Sequence, residues 1–175
     1  MLVRSAVAAG LFIGAAVAPI ADAHAADPVL DGTYRLDFDG ANRSINGAAS
    51  PTANTSATYT FTSSCSGDGC VARAMLLSSN DTEAVSAHNP DLTLRFTDGA
   101  WQLSLPYDSP CEEGGSRNQL LTWSLTPQVG SDVLAGFRVV ATVGNACAGD
   151  ESGPLAQPMT ATRVGTAAPG VLPMP

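Results

Sequence analysis

The sequence contains no lysine and only two histidines, and these shortages limit the partners that the chain can have. Charged residues make up 14% of the 175 residues, and the 16 acidic side chains outnumber the eight arginines, so that the net charge is −8. A chain with this negative excess is repelled by phosphate backbones and by anionic lipid surfaces. The composition therefore argues against a nucleic-acid partner. With 45% hydrophobic residues, the chain is still apolar enough to fold as one domain.

The chain also lacks the sequence motifs of common catalytic and nucleotide-binding sites. It has no Gly-x-Ser-x-Gly, no Gly-x-Gly-x-x-Gly, no Walker loop and no His-Glu-x-x-His. A serine or cysteine nucleophile needs a base beside it. His88, the single histidine beyond residue 25, lies in a polar stretch that is typical of a solvated loop. We therefore expect no cofactor and no metal, and the sequence favours a binding protein over an enzyme.

The first 25 residues have the pattern of a cleavable signal peptide. Arg4 supplies a positive start, residues 6–20 are mainly apolar, and small residues follow at the spacing of a cleavage site. The apolar run is shorter than the roughly 20 residues that a membrane-spanning helix needs. We expect residues 1–25 to be removed on export, residues 26–164 to form one β-barrel domain, and residues 165–175 to be a disordered tail. The mature protein is expected to be secreted or retained in the cell envelope, without stable membrane insertion.

The rest of the chain alternates apolar and polar residues with a period of two and has no long run with a 3.6-residue period. This alternation predicts β-strands rather than helices. The clearest pair of strands is joined by Asp98-Gly99, a dipeptide that tolerates positive φ in a two-residue hairpin turn. The predicted strands are 33–39, 43–48, 56–63, 69–77, 91–97, 100–105, 119–125, 133–143 and 159–164.

Short antiparallel strands without helices predict an all-β fold, and we expect a small antiparallel meander barrel of about eight or nine strands with two disulfides. A closed up-and-down barrel needs an even strand count. With nine strands, either residues 43–48 are not a barrel strand, or the seam is parallel, or the barrel is open, and the sequence does not choose among these. The large aromatic residues are expected to fill the barrel rather than to line a ligand cavity. They are Trp101, Trp123, Tyr34, Phe38, Tyr59, Phe61, Phe96 and Phe137.

The predicted connections differ in length between the two ends of the barrel, because alternate connections of a meander emerge at the same end. The short connections are 40–42, 65–70, 98–99 and 127–132. The long connections are 49–55, 78–90, 106–118 and 144–158. Long connections without secondary structure in a compact domain are usually functional or disordered. We therefore expect any binding site to lie at the end that carries the long connections.

Four cysteines in an exported chain indicate two structural disulfides. Cys65 and Cys70 flank one tight turn, where residues that face each other across two strands come within disulfide reach. Cys111 and Cys147 both fall in long connections at the other end, so that either alternative pairing would have to join opposite ends of the barrel. The spacing of Cys65 and Cys70 is too wide for a redox Cys-x-x-Cys, and one histidine cannot complete a zinc site with them.

A Cys111–Cys147 bridge would draw two acidic connections together at the long-connection end. Facing carboxylates there could separate their pKa values for acid–base catalysis or hold a Ca²⁺ ion, although a solvated acidic surface is the simpler interpretation. Arg117 is the one cation in these two connections. The predicted binding rim consists of Asp108, Glu112, Glu113, Arg117, Asp150 and Glu151.

Three segments together resemble a known family of proteins. They are Tyr59-Thr-Phe-Thr-Ser-Ser-Cys-Ser-Gly-Asp-Gly-Cys-Val-Ala-Arg-Ala74, Phe96-Thr-Asp-Gly-Ala-Trp101 and Ala161-Thr-Arg-Val-Gly165. They are similar to small exported β-domains of mycobacteria, which in turn resemble extracytoplasmic domains of some mycobacterial membrane serine/threonine kinases. The likeness covers roughly residues 32–165. It implies a mycobacterial envelope or culture-fluid protein, and it carries over neither catalytic residues nor a signalling role.

These observations leave three functions of different classes. The first is a secreted or envelope-bound binding module that recognises an unknown small ligand, or an envelope or host protein, through its long connections. The second is a hydrolase that works through the rim carboxylates. The third is a passive envelope or host-facing surface protein. A hollow barrel would favour the first function, and paired buried carboxylates in a cleft would favour the second.

Overall fold

The computed structural model describes residues 29–81, 91–149 and 153–165, and these residues form mainly β-strands. The strands are β1 (Gly32–Phe38), β2 (Ser44–Ile45), β3 (Ala48–Ala49), β4 (Thr55–Ser66), β5 (Gly69–Ser79), β6 (Asp91–Thr97), β7 (Ala100–Pro110), β8 (Ser116–Pro127), β9 (Val133–Thr142) and β10 (Leu155–Gly165). A single turn of 3-10 helix, Gly40–Asn42, follows β1. Within these residues no helix is long and apolar enough to cross a membrane.

The eight long strands close into one antiparallel barrel in the order β1, β4, β5, β6, β7, β8, β9 and β10. The seam is antiparallel, because β10 pairs with β1 through partners such as Asp37 with Thr160. The predicted all-β barrel is therefore confirmed, and the question of its strand count is answered. The predicted strand 43–48 is not a wall strand: it forms the small hairpin of β2 and β3, which pairs with the start of β10 through Ile45 and Leu155.

Two hairpins differ in how well the sequence predicted them. The Asp98-Gly99 turn is confirmed, since both residues have positive φ, 54° and 79°, between β6 and β7. The prediction of a long connection over 106–118 is wrong. β7 continues to Pro110 and β8 starts at Ser116, and their ladder pairs Pro106 with Leu120. Pro106 has no N–H and is unusual in a strand, but the registered pairs of β7 with β6 reach only to residue 102, so that a proline beyond them interrupts no ladder on that side.

Three connections at one end of the barrel are longer than any at the other end, as the sequence predicts, whereas the fourth, 111–115, is no longer than 128–132. At one end, which we call the long-loop end, residues 39–54, 80–90, 111–115 and 143–154 connect the wall strands. At the other end, the short-loop end, the connections are 67–68, 98–99 and 128–132. The turn Gly40–Asn42 was predicted at the short-loop end, and this prediction is wrong, because the whole segment 39–54 is one connection between β1 and β4.

Aromatic side chains fill the interior of the barrel, as predicted. Tyr59 lies edge-on to Trp123, with 5.6 Å between ring centroids, and Phe38 packs against Trp123 from the other side at 6.5 Å. Trp101 and Phe61 are also fully buried. An eight-stranded barrel is narrow enough for side chains of this kind to fill it.

Phe137 is the exception, because it points outward from β9 and is 56% exposed. The prediction that it belongs to the core is wrong. The inward positions of β9 on either side of it are Gly136 and Arg138, which face Leu125 and Trp123 on β8. A side chain at Gly136 would start only 1.7 Å from the carbonyl oxygen of Ser124. The close approach of β8 and β9 thus requires glycine at an inward position and turns Phe137 to the outside.

Candidate functional site

Both predicted disulfides are present. Cys65 and Cys70 join β4 to β5 at the short-loop end, with 4.0 Å between their Cα atoms. Cys111 and Cys147 join two connections at the long-loop end, with 5.6 Å between their Cα atoms. The second bridge ties together chain segments that lie 36 residues apart. Its position at the long-loop end makes it the covalent support of the predicted binding rim.

A small pocket of about 220 Å³, which we call the rim pocket, opens beside this second bridge. Its lining includes the Cys111–Cys147 bridge and three of the predicted rim residues, Glu112, Glu113 and Arg117. Both glutamates are exposed. The Oε1 atom of Glu113 accepts a hydrogen bond from the backbone N–H of Ala148 at 2.6 Å. This contact adds a second, noncovalent link between the same two connections.

Arg117 belongs to a polar chain that enters the mouth of the barrel. Its Nε donates to the hydroxyl of Ser109 at 2.8 Å, and this hydroxyl donates to Oε1 of Gln119, also at 2.8 Å. Ser109 and Gln119 are buried. These contacts hold the Arg117 side chain between the rim pocket and the barrel interior, where its guanidinium offsets the two exposed glutamates.

Asp108 is not among the residues that line this pocket. Asp108 lies on β7, where its exposed carboxylate accepts a hydrogen bond from Nδ2 of Asn118 at 2.6 Å. Asp150 and Glu151 fall outside the described residues, as does His88. The structure thus brings together Glu112, Glu113 and Arg117 and places Asp108 apart from them.

The rim pocket does not have the chemistry of a metal centre. The Sγ atoms of Cys111 and Cys147 and a carboxylate oxygen of Glu113 lie within 4.8 Å of one another. Both sulfurs are committed to the disulfide, however, and a metal ion binds the thiolate form of cysteine. One exposed carboxylate is then the only strong ligand of the three.

The geometry of a carboxylate-based hydrolase is likewise missing from the part of the chain that the structure describes. Such a site needs two carboxylates whose surroundings separate their pKa values. In residues 29–81, 92–149 and 153–165, Asp81 is the one buried carboxylate, and it is paired with an arginine. Nothing in this arrangement favours the hydrolase hypothesis.

The buried charges form a second polar site, which the sequence did not predict. Arg138 points into the barrel from β9 and donates from Nη1 to Oδ2 of Asp81 and from Nη2 to Oε1 of Gln157. Thr55 donates its hydroxyl to the same Asp81 oxygen at 3.1 Å. The guanidinium of Arg138 also lies over the ring of Phe38, 4.1 Å from its centroid. Asp81, Gln157 and Phe38, which are distant from one another in sequence, therefore meet at one guanidinium.

This polar cluster also affects a neighbouring phenol. Burial raises the pKa of Tyr59 from 10.0 to about 12; the negative charge of Asp81 adds to the rise, and the positive charge of Arg138 opposes it. Tyr59 is buried in the core, so that loss of its proton would place a second negative charge close to Asp81. The interior of the barrel thus keeps Tyr59 neutral at physiological pH.

Above the cluster lies a pocket of about 170 Å³, which we call the mouth pocket. Its polar lining residues are Arg43, Thr52, Thr55, Asp81, Arg138 and Gln157. Arg43 and Thr52 come from the long connection between β1 and β4, and the other four come from the barrel wall and its edge. The mouth pocket and the rim pocket are therefore both at the long-loop end.

Two shallow grooves flank Phe137 on the outer wall, with volumes of about 590 and 690 Å³. The smaller groove is lined mainly by hydroxyl and amide side chains such as Ser104, Thr122 and Gln102, and Arg95 contributes a cation. The larger groove includes the exposed ion pair of Arg35 and Asp37. The smaller groove lies on the side of the barrel, whereas the larger one reaches the long-loop end, where it includes Asn54 and Asn80 and shares Thr55 with the mouth pocket.

Comparison with known proteins gives one family and a small number of solved structures. The model of the family described as the PknI serine/threonine-protein kinase sensor domain matches residues 27–175. The comparison with curated proteins found no match. Among solved structures, the monomer form of the M. tuberculosis PknI sensor domain is 23% identical, with 84% of this chain and 95% of that chain covered and a TM-score of 0.63. The dimer form of the same domain is 25% identical, with 70% and 77% covered and a TM-score of 0.48.

Proposed function

The chain belongs to the PknI serine/threonine-protein kinase sensor domain family, and from this premise we propose that it is an extracytoplasmic binding module that recognises its ligand at the long-loop end. The proposal places the protein in the mycobacterial cell envelope or in the secreted fraction. Its partner is a small ligand or an envelope or host protein. The name of the family describes a sensor, and sensing begins with binding.

Export of the chain is part of the proposal. The family match starts at residue 27, directly after the predicted signal peptide of residues 1–25. Two disulfides persist in oxidising compartments and are rare in the bacterial cytosol. We place the barrel domain at residues 26–164 and a tail after it, although β10 reaches one residue further, to Gly165, and the family match continues to the last residue. Mass spectrometry of the exported protein would test the cleavage site through its N-terminal peptide.

The observation that carries the binding proposal is the contrast between the filled barrel and the polar long-loop end. Aromatic side chains occupy the interior and pack against one another. Two polar pockets, the rim pocket and the mouth pocket, open at the same end of the barrel. In many folds the binding residues lie on loops that a rigid scaffold holds in place. A disulfide and the Glu113 contact fix the loops here.

A binding screen with a structural readout tests this proposal. Lipids, sugars and divalent cations are screened by thermal shift, since a ligand that binds only the folded state raises the melting temperature. Each hit is then mapped by NMR on the folded domain. We expect perturbed resonances in residues 39–54, 111–115 and 143–149. Perturbations centred on residues 67–68, 98–99 and 128–132 would contradict the proposal.

A triple variant tests the rim pocket within the same screen. We expect Glu112→Gln, Glu113→Gln and Arg117→Gln together to weaken binding of a mapped ligand. The two glutamate substitutions should change the melting temperature little, because exposed charges each contribute under about 1 kcal/mol, whereas Arg117→Gln should lower it because it removes the hydrogen bond to buried Ser109. Asp68→Asn, an exposed acid at the short-loop end, is the matched control and should bind normally. Unchanged binding by the triple variant would remove the rim pocket from the site.

A further inference from the structure

We propose that the mouth pocket binds an oxyanion group, a carboxylate or a phosphate, with Arg43 as its principal cation. This inference rests on the proposed function, because it names the ligand chemistry of one pocket at the long-loop end. Two arginines, Arg43 and Arg138, line the pocket together with one carboxylate, that of Asp81. The lining therefore carries one positive charge in excess, in a chain whose net charge is −8.

The carboxylate in the pocket is already occupied by other partners. Asp81 accepts from Nη1 of Arg138 and from the hydroxyl of Thr55. Arg138 also donates to Gln157 and lies over the ring of Phe38. These contacts pair Asp81 with Arg138 and hold both in place. The excess charge of the pocket therefore belongs to Arg43.

One donor of the half-buried Arg43 side chain has no protein acceptor. Its Nε atom is buried, and no hydrogen-bond partner for this atom is found among the described residues. A buried donor without an acceptor is destabilising, and a bound water or ion is one explanation for such an atom in a native protein. The guanidinium offers donors in a planar fork that matches the two oxygens of a carboxylate or a phosphate. An oxyanion in the pocket would therefore balance the charge of this guanidinium.

The backbone holds Arg43 in position before any ligand arrives. Its N–H donates to the carbonyl of Gly40 at 3.3 Å, and its carbonyl accepts from the N–H of Ser50 at 3.0 Å. The neighbouring hairpin of β2 and β3 is fixed to β10 by the pairing of Ile45 with Leu155. The cation therefore approaches the pocket from an ordered segment, so that binding needs little reorganisation.

The size of the pocket limits what can enter it. Pockets for drug-sized ligands have volumes of about 300–1,000 Å³, and the mouth pocket has about 170 Å³. Since a water molecule occupies about 30 Å³ in the liquid, the pocket accommodates one small anionic group with a few waters. The amide nitrogen of Gln157 can donate to that group, because the amide oxygen accepts from Arg138. A larger ligand would place only its charged end here and its remainder on the loops.

The test uses sodium phosphate and sodium acetate as probes, each against sodium chloride at equal ionic strength. Thermal shift and NMR titration follow the folded domain. We expect a saturable rise in melting temperature with at least one probe and perturbed resonances at Arg43, Thr52 and Gln157. The stronger of the two probes identifies the oxyanion as a phosphate or a carboxylate.

Three variants make the test specific. Arg43→Gln should weaken binding at least tenfold, about 1.4 kcal/mol. Arg43→Lys should retain part of the affinity, because lysine keeps the positive charge but lacks the paired planar donors of the guanidinium. Arg35→Gln removes an exposed arginine from the outer wall and is the matched control. It should bind the probe as the unmodified protein does. The melting temperature of each variant without probe shows that the domain is folded.

Two results would overturn the inference: neither probe binds saturably, or Arg43→Gln binds as tightly as the unmodified protein. The proposed function fails by a different result, namely that screened ligands perturb the short-loop end. A screen hit at the rim pocket with no effect of phosphate or acetate would leave the binding module in place and remove the anion site. Saturable binding of an anion that Arg43→Gln abolishes would support the anion site even if the wider screen gave no other ligand.

Discussion

Arg138 and Asp81 form an ion pair inside the barrel, with side-chain exposures of only 5% and 4%. The pair joins the middle of β9 to the second residue after the end of β5, close to the long-loop end. Removing two charges from water is costly, and the cost is recovered only when both partners are present and hydrogen-bonded. Thr55 and Gln157 supply the additional hydrogen bonds.

The first prediction concerns this ion pair. We expect Asp81→Ala to lower the free energy of unfolding by about 3–5 kcal/mol, because it leaves the Arg138 charge buried without its counter-ion. Asp37→Ala breaks the pair with Arg35, which is roughly half exposed, and should cost under about 1 kcal/mol. Urea denaturation at neutral pH measures both. Equal losses of unfolding free energy in the two variants would show that the buried pair contributes no more to stability than the exposed pair.

A double variant separates the pair from the packing around it. Asp81→Leu combined with Arg138→Met replaces both charges by apolar side chains. Such replacements of buried pairs are often neutral or stabilising, so that we expect the double variant to recover most of the stability lost by Asp81→Ala. A double variant as unstable as the single one would instead indicate that the hydrogen bonds of the polar cluster are themselves needed for the stability of this end of the barrel.

The second prediction concerns alkaline pH. In the folded protein the pKa of Tyr59 is about 12, and in the unfolded chain it is about 10. The unfolded state therefore loses its proton first, so that stability is unaffected below pH 10, falls between pH 10 and 12, and levels off above 12. Two pH units correspond to about 3 kcal/mol. Tyr59→Phe should remove most of this decline, which urea titrations at several pH values would measure.

Tyr34 contributes in the same direction, since burial also raises its pKa. Tyr34→Phe is therefore the natural comparison, and we expect it to flatten the alkaline decline less than Tyr59→Phe does. An alkaline decline that is the same in the unmodified protein and in Tyr59→Phe would contradict the assignment.

The third prediction separates two aromatic residues that the sequence grouped together. Trp101 is 1% exposed and Phe137 is 56% exposed. Truncation of a buried tryptophan costs about 3–5 kcal/mol, whereas most exposed substitutions change stability by roughly half a kcal/mol or less. We expect Trp101→Ala to unfold at a much lower urea concentration than the unmodified protein, and Phe137→Ala to unfold close to it. A large effect of Phe137→Ala would mean that its ring is covered in solution.

The fourth prediction concerns the two disulfides. Peptide mapping without reduction should find Cys65 linked to Cys70 and Cys111 linked to Cys147, and a peptide joining Cys70 to Cys111 would contradict the strand order. The loops span 5 and 36 residues in sequence. Loop-closure entropy then gives about 2 kcal/mol for the first bridge and about 4 kcal/mol for the second. The paired serine variants should lose stability in that order.

Much of the fold could be predicted from the sequence because its signals are local. The alternation of β1, the turn at Asp98-Gly99 and the proximity of Cys65 to Cys70 are each contained within about ten residues. The Cys111–Cys147 pairing follows once the meander order is known. The ends of β7 and β8 were missed because Pro106 and Pro110, followed by Gly114 and Gly115, are typical of a loop, whereas the ladder continues to Pro110.

The orientation of β9 and the mouth pocket could not be predicted, since they depend on partners that are distant in sequence. The outward residues of β9, such as Ala135, Phe137 and Val139, are more apolar than the inward Gly136 and Arg138. Alternation alone would therefore place the wrong face inside. Arg138 points inward because Asp81, 57 residues away, supplies its counter-ion. The sequence of β9 shows only that one face of the strand carries a glycine and an arginine. It does not show which partner would draw that face into the barrel.

The closure of the barrel also fixes where the domain can be attached to anything else. Thr33, near the start of β1, is the register partner of Gly165, the last residue of β10. Polypeptide that precedes β1 and polypeptide that follows β10 therefore leave the barrel side by side, at the short-loop end. A tether on either side would hold the domain by that end and present Arg43 and the Cys111–Cys147 loops on the opposite surface. The same proximity permits a circular permutant in which a short linker joins these ends and new termini open at Gly67 and Asp68.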